Sequence, residues 1–266
     1  MTDVTAATNY AMSVVLVEKQ SPQVTVLTLN RPERRNALTI ELMTELVAAV
    51  EAVSADETQR ILILRGAGKA FCTGLDLQEV GEPGKAHESA GMIAKMLLAV
   101  SQTRLVTIAA VHGAAVAGGA GLMSACDFAI AAEKTKFGYP EAKRGLVAGL
   151  VMTFLRRQLH ERDIRELLLT GELIESRRAL EIGLINRVVA PDELETEVRK
   201  LARSILQNAP GALANSKRLL EELWSSSVKE DLERSLAHHM QARESEETKE
   251  GVAAFLEKRA PKWAEG

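Results

Sequence analysis

Two glycine-bearing segments stand out as places where this chain could do chemistry: Lys69 to Leu77, KAFCTGLDL, and His112 to Gly121, HGAAVAGGAG. Each follows a short apolar run that reads as a buried strand. The C-terminal ends of such strands are the ligand-binding edge of an open α/β sheet. Turns at that edge, and the first turn of a following helix, leave peptide N–H groups able to hold a developing oxyanion. Two converging donors would suit acyl chemistry. The same glycines could merely permit tight turns and close packing, and taken alone the two segments leave both readings open.

Other candidate motifs are weaker. Gly66-Ala67-Gly68-Lys69 resembles the end of a phosphate-binding loop, but the earlier glycine is missing and Ala70 stands where Ser or Thr must hold magnesium. Gly118-Gly119-Ala120-Gly121 lacks the spacing of a dinucleotide fingerprint. There is no G-x-S-x-G elbow, and His160-Glu161 has no second histidine to complete a metal-binding helix. His238-His239 lies in a charged helical stretch and reads as a solvated face. Cys72 reads as a small core thiol rather than a nucleophile.

The elements that must position these segments follow from hydrophobic pattern. Val14 to Glu18 and Val24 to Asn30 read as a hairpin around Gln20-Ser21-Pro22-Gln23. Leu42, Leu46, Ala49, Val50 and Val53 recur at helical spacing after Thr39. Ile61-Leu62-Ile63-Leu64 is continuous enough for a strand covered on both faces, as in a parallel sheet. Helix, strand, helix and strand then follow at Ala90 to Ser101, Val106 to Val111, Gly118 to Cys126 and Phe128 to Ala132. The class is α/β, with alternation to about residue 190. From Pro191 the strand signal disappears. Leu232, Leu236, Met240, Val252 and Phe255 form an apolar stripe among mixed charges, which needs an outside surface to cover it.

Composition narrows the function classes. The 266 residues carry 33 Lys and Arg against 36 Asp and Glu, a net charge of -3, which offers no basic footprint for nucleic acid. Aromatic residues are only 3%, too few for base-stacking platforms. Two cysteines, Cys72 and Cys126, give no disulfide framework and no zinc set. The start, MTDVTAATNYAMSVVLVEK, has no basic region followed by an apolar block, and no apolar stretch approaches a membrane span. A cytoplasmic protein without membrane partners is the expectation.

Over nearly its whole length the chain resembles the crotonase superfamily, the enoyl-CoA hydratase and isomerase family. The resemblance rests on Leu29-Asn30-Arg31-Pro32 with Asn36-Ala37-Leu38, on Ala70-Phe71-Cys72-x-Gly74-x-Asp76-Leu77, on Gly113 through Gly119, and on Cys126-Asp127. It continues through Phe137-Gly138-Tyr139-Pro140-Glu141, Gly183 to Val189, and Glu250 to Arg259. It implies a spiral of ββα units carrying the acyl-CoA site over residues 1–205. A helical region at 206–266 would drive a homotrimer or a dimer of trimers. It also implies that Leu75 and Gly118 donate backbone N–H groups to a thioester oxygen and that Glu141 moves a proton. The loop holding Ala70, Leu75, Asp76 and Leu77 would lie along coenzyme A, and Lys258 would reach the coenzyme A of a neighbouring subunit. Coenzyme A belongs to the substrate, so no separate cofactor, metal or nicotinamide is expected.

One departure matters. Many hydratases of this family carry a second glutamate where this chain has Gly121. Hydration needs an activated water as well as a proton for Cα, so two carboxylates are its straightforward solution, whereas shifting a Cβ–Cγ double bond needs one base. Against that, Gly118 to Ala132 followed by Phe137 to Val147 looks like bacterial methylglutaconyl-CoA hydratase-like members. Asp76 and Glu79 are the nearest acids to the first loop and could assist water, although Asp76 fits a loop brace better. Ala148 to Leu155 replaces the usual Gly-Gly-Thr-Gln-Arg-Leu, which points to a different acyl wall. The reading adopted is an enoyl-CoA hydratase, with a Δ3-Δ2-enoyl-CoA isomerase as its rival. A trimeric CoA-binding protein without catalysis is the third possibility.

Overall fold

The computed structural model describes residues 13–80 and 84–264. The start of the chain, read above for a leader, lies outside them up to residue 12. The elements in order are β1 (Val15–Ser21), β2 (Val24–Leu29), α1 (Ile40–Ala55), β3 (Ile61–Gly66), α2 (Leu77–Val80), α3 (Lys85–Gln102), β4 (Val106–Val111), β5 (Ala114–Val116) and α4 (Gly118–Ser124). Then come β6 (Phe128–Ala132), β7 (Lys136–Gly138), α5 (Gly149–Gln158), α6 (Glu161–Thr170), β8 (Ile174–Glu175), α7 (Ser176–Glu181) and β9 (Arg187–Val189). Four helices close the chain: α8 (Leu194–Leu206), α9 (Pro210–Glu222), α10 (Val228–Arg243) and α11 (Glu246–Glu257).

The main sheet runs β1-β2-β3-β4-β6-β9, and only the β1–β2 hairpin pairs antiparallel. Alternate residues of its apolar strands enter two different cores. Leu27, Leu62, Leu64, Ala109 and Val111 face α1, α3 and α5, while Val26, Ile61, Ile63, Val106, Ile108 and Ile130 meet Val198, Leu201 and Ile205 of α8. Coverage on both faces is why these strands read as unbroken apolar runs. α1 begins where Thr39 accepts the Leu42 N–H, and it buries Leu42, Leu46, Val47, Val50 and Val53.

A second sheet, β5-β7-β8, was not foreseen. Its strands of two or three residues are too short to carry a period. It sits over the loop after β3, where Cys72 pairs with Ala115 and Leu38 pairs with Leu75. Gly113 makes this approach possible: it has φ +65°, and a Cβ there would lie 1.9 Å from the Lys69 carbonyl oxygen. The segment beyond residue 205 is wholly helical, as expected, but it does not stand apart. α10 packs on α5 and α3, and α11 packs on the segment holding Glu141. Among the described residues no helix is long and apolar enough to cross a membrane.

Candidate active site

The geometry of the first loop fixes the direction of one amide. Leu38 N–H donates to the Gly74 oxygen at 2.8 Å, and Asp76 N–H donates to the Leu38 oxygen at 2.9 Å. Leu38 therefore bonds the residues on either side of Leu75, and in a parallel bridge the N–H of Leu75 itself turns the other way. Leu75 also lines a cavity of about 820 Å³. The second amide is that of Gly118, first residue of α4, where a helix leaves its N–H groups without internal partners. Ala117, just before it, is held at φ +51° and ψ -126°, a conformation an L-residue tolerates only when its surroundings impose it. Here they do, because Ala117 N–H donates to the Gly138 oxygen and Val116 N–H to the Cys72 oxygen.

The two turns touch. A Cβ on Gly74 would lie 2.9 Å from the Ala117 Cβ and 3.2 Å from the Gly118 nitrogen, so only glycine lets the donors approach this closely. Gly119 is equally committed, since its Cβ would meet the Cys72 oxygen at 2.3 Å.

Glu141 enters the same cavity from the 3-10 helix Pro140–Arg144, reached from β7 through the fully buried Tyr139. One carboxyl oxygen, Oε2, is buried with no hydrogen-bond partner. Burial pushes this carboxyl up to about 7, against a hydrogen bond from its own backbone and the positive charge of Arg144, which both pull it down. A carboxyl near neutrality can both accept and return a proton at cellular pH. Arg144 lies across the Phe255 ring, 4.2 Å from its centroid, and donates to the Pro140 oxygen.

The other expected site residues divide. Leu75, Asp76, Leu77, Gly118 and Glu141 all line the cavity, as does Thr73. Ala70 does not: it is buried beneath the loop, and its carbonyl accepts from the Asn36 side chain at 2.8 Å. Asp76 is a brace, its carboxylate held by Arg31 and Arg34 and accepting the Gln78 N–H. Glu79 accepts the Ile40 N–H at the start of α1. Both acids are thus engaged in holding the loop and the start of α1. Lys258, at the C-terminal end of α11, lines the cavity of its own chain.

Three features escaped the sequence. His239 is buried and lines the cavity, so the solvated-face reading is wrong for it. Its flanking charges disguised it, and only its four-residue spacing from Ser235 and Arg243, on the side of α10 that packs on α5, pointed inward. Arg144 was hidden as one of two adjacent basic residues. Val151 fills the space that a side chain at Gly121 would need: a Cβ there would lie 2.4 Å from its Cγ1. Cys72 is fully buried, with burial pushing its thiol up to about 12, as befits a core residue.

The chain matches known proteins over nearly its whole length. The family model described as Enoyl-CoA hydratase/isomerase matches residues 19–266. A crotonyl-CoA hydratase of Syntrophomonas wolfei is 35% identical over 253 residues, covering 92% of this chain and 95% of that protein. An enoyl-CoA hydratase of Mycobacterium tuberculosis, EchA19, is 36% identical over 252 residues, covering 92% and 94%. The crystal structure of an enoyl-CoA hydratase from Bacillus halodurans superimposes with a TM-score of 0.84 at 27% identity, covering 91% of this chain and all of that one. One from Mycobacterium avium gives 0.83 at 34%, covering 94% and 99%. With relatives spanning the sheet, both amide turns and the closing helices, the chain belongs to the enoyl-CoA hydratase/isomerase family and has its α/β crotonase fold.

Proposed function

We propose that this enzyme adds water to a 2-enoyl-CoA thioester. The observation that carries the reading is the unpartnered, buried Oε2 of Glu141, a residue that lines the same cavity as Leu75 and Gly118. The thioester oxygen accepts both N–H groups. Ionised Glu141 takes one proton from water as the water oxygen bonds to Cβ, and the charge displaced through the double bond settles on the thioester oxygen as an enolate. Neutral Glu141 then gives that proton to Cα and is again a carboxylate. One carboxyl group thus completes the addition of one water. Each amide is worth roughly 3 kcal/mol of barrier, by analogy with other oxyanion holes. The Thr73 to Leu77 loop and Lys258 would hold the coenzyme A portion, and no resident cofactor or metal takes part in this scheme.

A specific observation favours a second reading. Val151 occupies the wall where a second carboxylate would emerge, which suits the one-base requirement of a Δ3-Δ2 isomerase. Incubation with crotonyl-CoA and with 3-hexenoyl-CoA separates the two. Loss of conjugated enoyl absorbance from the first supports hydration, and its appearance from the second supports isomerisation. Turnover of neither overturns both.

Assembly belongs to the same proposal. No residue of α9 is fully buried, and α9 with the turn after it exposes Leu219, Leu220, Leu223 and Trp224. These side chains support a homotrimer or a dimer of trimers, which light scattering would read as a mass of three or six chains. Two free, buried thiols support a reducing, cytoplasmic setting.

A further inference from the structure

His239 is positioned by two hydrogen bonds whose roles can be deduced. Arg243 Nε lies 2.9 Å from His239 Nε2. A guanidinium can only donate, so Nε2 must accept. The ring is then neutral, its hydrogen is on Nδ1, and Nδ1–H donates to the Val147 carbonyl 2.9 Å away. Burial acts in the same direction by pulling the imidazole below its ordinary pKa. The result is a rigid link from α10 to the loop Gly145–Ala148, between the Glu141 helix and α5.

That loop has little else to hold it. Val147 is 40% exposed although it lines the cavity, so its side chain is offered to whatever the cavity contains. Leu146 N–H donates to the Glu141 oxygen at 3.0 Å, and the Thr248 hydroxyl lies 2.7 Å from the Gly145 oxygen. Farther on, Gly149 lets α10 come close, for a Cβ there would lie 2.9 Å from the Ser235 oxygen. Among the described residues, only His239 secures the Val147 peptide by a side chain.

We propose that His239 is a positioning residue that sets acyl-chain selectivity, by holding the Leu146 to Ala148 wall against the substrate. This rests on the acyl-CoA reading above. With the link intact, the wall is fixed close to the carbons next to the reacting centre, where a short acyl group makes all of its contacts. Without it, short chains lose those contacts while longer chains keep the ones they make beyond.

The test measures Kd for butyryl-CoA and decanoyl-CoA by calorimetry, and kcat and KM for the corresponding 2-enoyl thioesters, in wild type, His239→Leu, His239→Asn and His239→Gln. A buried hydrogen bond of this kind corresponds to roughly three- to tenfold in affinity. His239→Leu should weaken butyryl-CoA relative to decanoyl-CoA by about that factor and should act on KM more than on kcat. At least one amide variant should restore most of the ratio, because an amide supplies one donor for Val147 and one acceptor for Arg243. Should His239→Leu fail to fold, Arg243→Met, which frees the ring to turn, should shift the ratio in the same direction by less. An unchanged chain-length ratio in His239→Leu, or amide variants as altered as the leucine one, overturns the proposal. The Kd ratio needs no turnover, so failure of the proposed reaction and failure of the positioning role are read separately.

Discussion

Gly74→Ala is the most instructive single substitution, because it separates backbone strain from donor geometry. Gly74 has φ +87°, and an added Cβ would lie 2.9 Å from the Ala117 Cβ, 3.0 Å from the Val116 oxygen and 3.2 Å from the Gly118 nitrogen. The left-handed backbone costs an L-residue about 1–2 kcal/mol. Relieving the crowding requires the two turns to part by a few tenths of an ångström, for a total of roughly 2–3 kcal/mol with the packing strain included. An ordinary domain survives that, since its margin is about 5–15 kcal/mol. Catalysis should not. Loss of one oxyanion donor costs about 10²–10³ in kcat, and a hole whose donors no longer converge should forfeit on the order of 10². The assay is the decay of conjugated enoyl absorbance with crotonyl-CoA, run beside a melting curve. A melting temperature that falls while kcat stays within threefold of wild type would show that the approach of these turns serves folding alone.

Further outcomes follow from Glu141 and from the filled wall. A folded-state pKa of about 7 on a carboxyl whose ordinary value is 4.5 means that the native state binds more protons than the unfolded chain between those values. The stability from this group is complete below pH 4.5 and is lost as pH rises through 7. Glu141→Gln, which cannot ionise, should therefore be more stable than wild type at pH 8, by about 3 kcal/mol, and the difference should shrink toward pH 5. Because hydration begins with ionised Glu141, kcat/KM should rise with pH through about 7; a flat profile from pH 6 to 8 would count against it. Gly121→Glu alone should destabilise by about 1–3 kcal/mol through overpacking on Val151, and Gly121→Glu combined with Val151→Ala should recover much of the loss in melting temperature.

How much of this was legible depended on the physical signal each feature carries. The runs at residues 61–66, 106–111 and 128–132 declare buried parallel strands because both faces are covered, and β-branched and apolar residues fill every position except Arg65 and Gly66 at the end of the first. α1 was legible from its stripe and its Thr39 cap. α3 starts at Lys85 rather than near Ala90, since its first turn is polar and gives the pattern nothing to register. Glu141 and the two amide turns were reached through family resemblance, while the residues alone left strain and function equally possible. Ala70 was misplaced because a loop was read as a continuous surface, whereas Asn36 draws its carbonyl into the interior. His239 and Val151 depend on which segments meet in space: one is tied to a carbonyl 92 residues away, the other fills a gap opposite a glycine 30 residues away.

The account is tested most directly by comparing Glu141→Gln with wild type in crotonyl-CoA hydration while measuring the affinity of each for butyryl-CoA. The expected result is a fall in kcat of about 10²–10⁴, the range of a lost general acid–base group, with acyl-CoA affinity preserved within a few-fold. Full turnover by the glutamine variant would contradict the assignment of the proton to this carboxyl group.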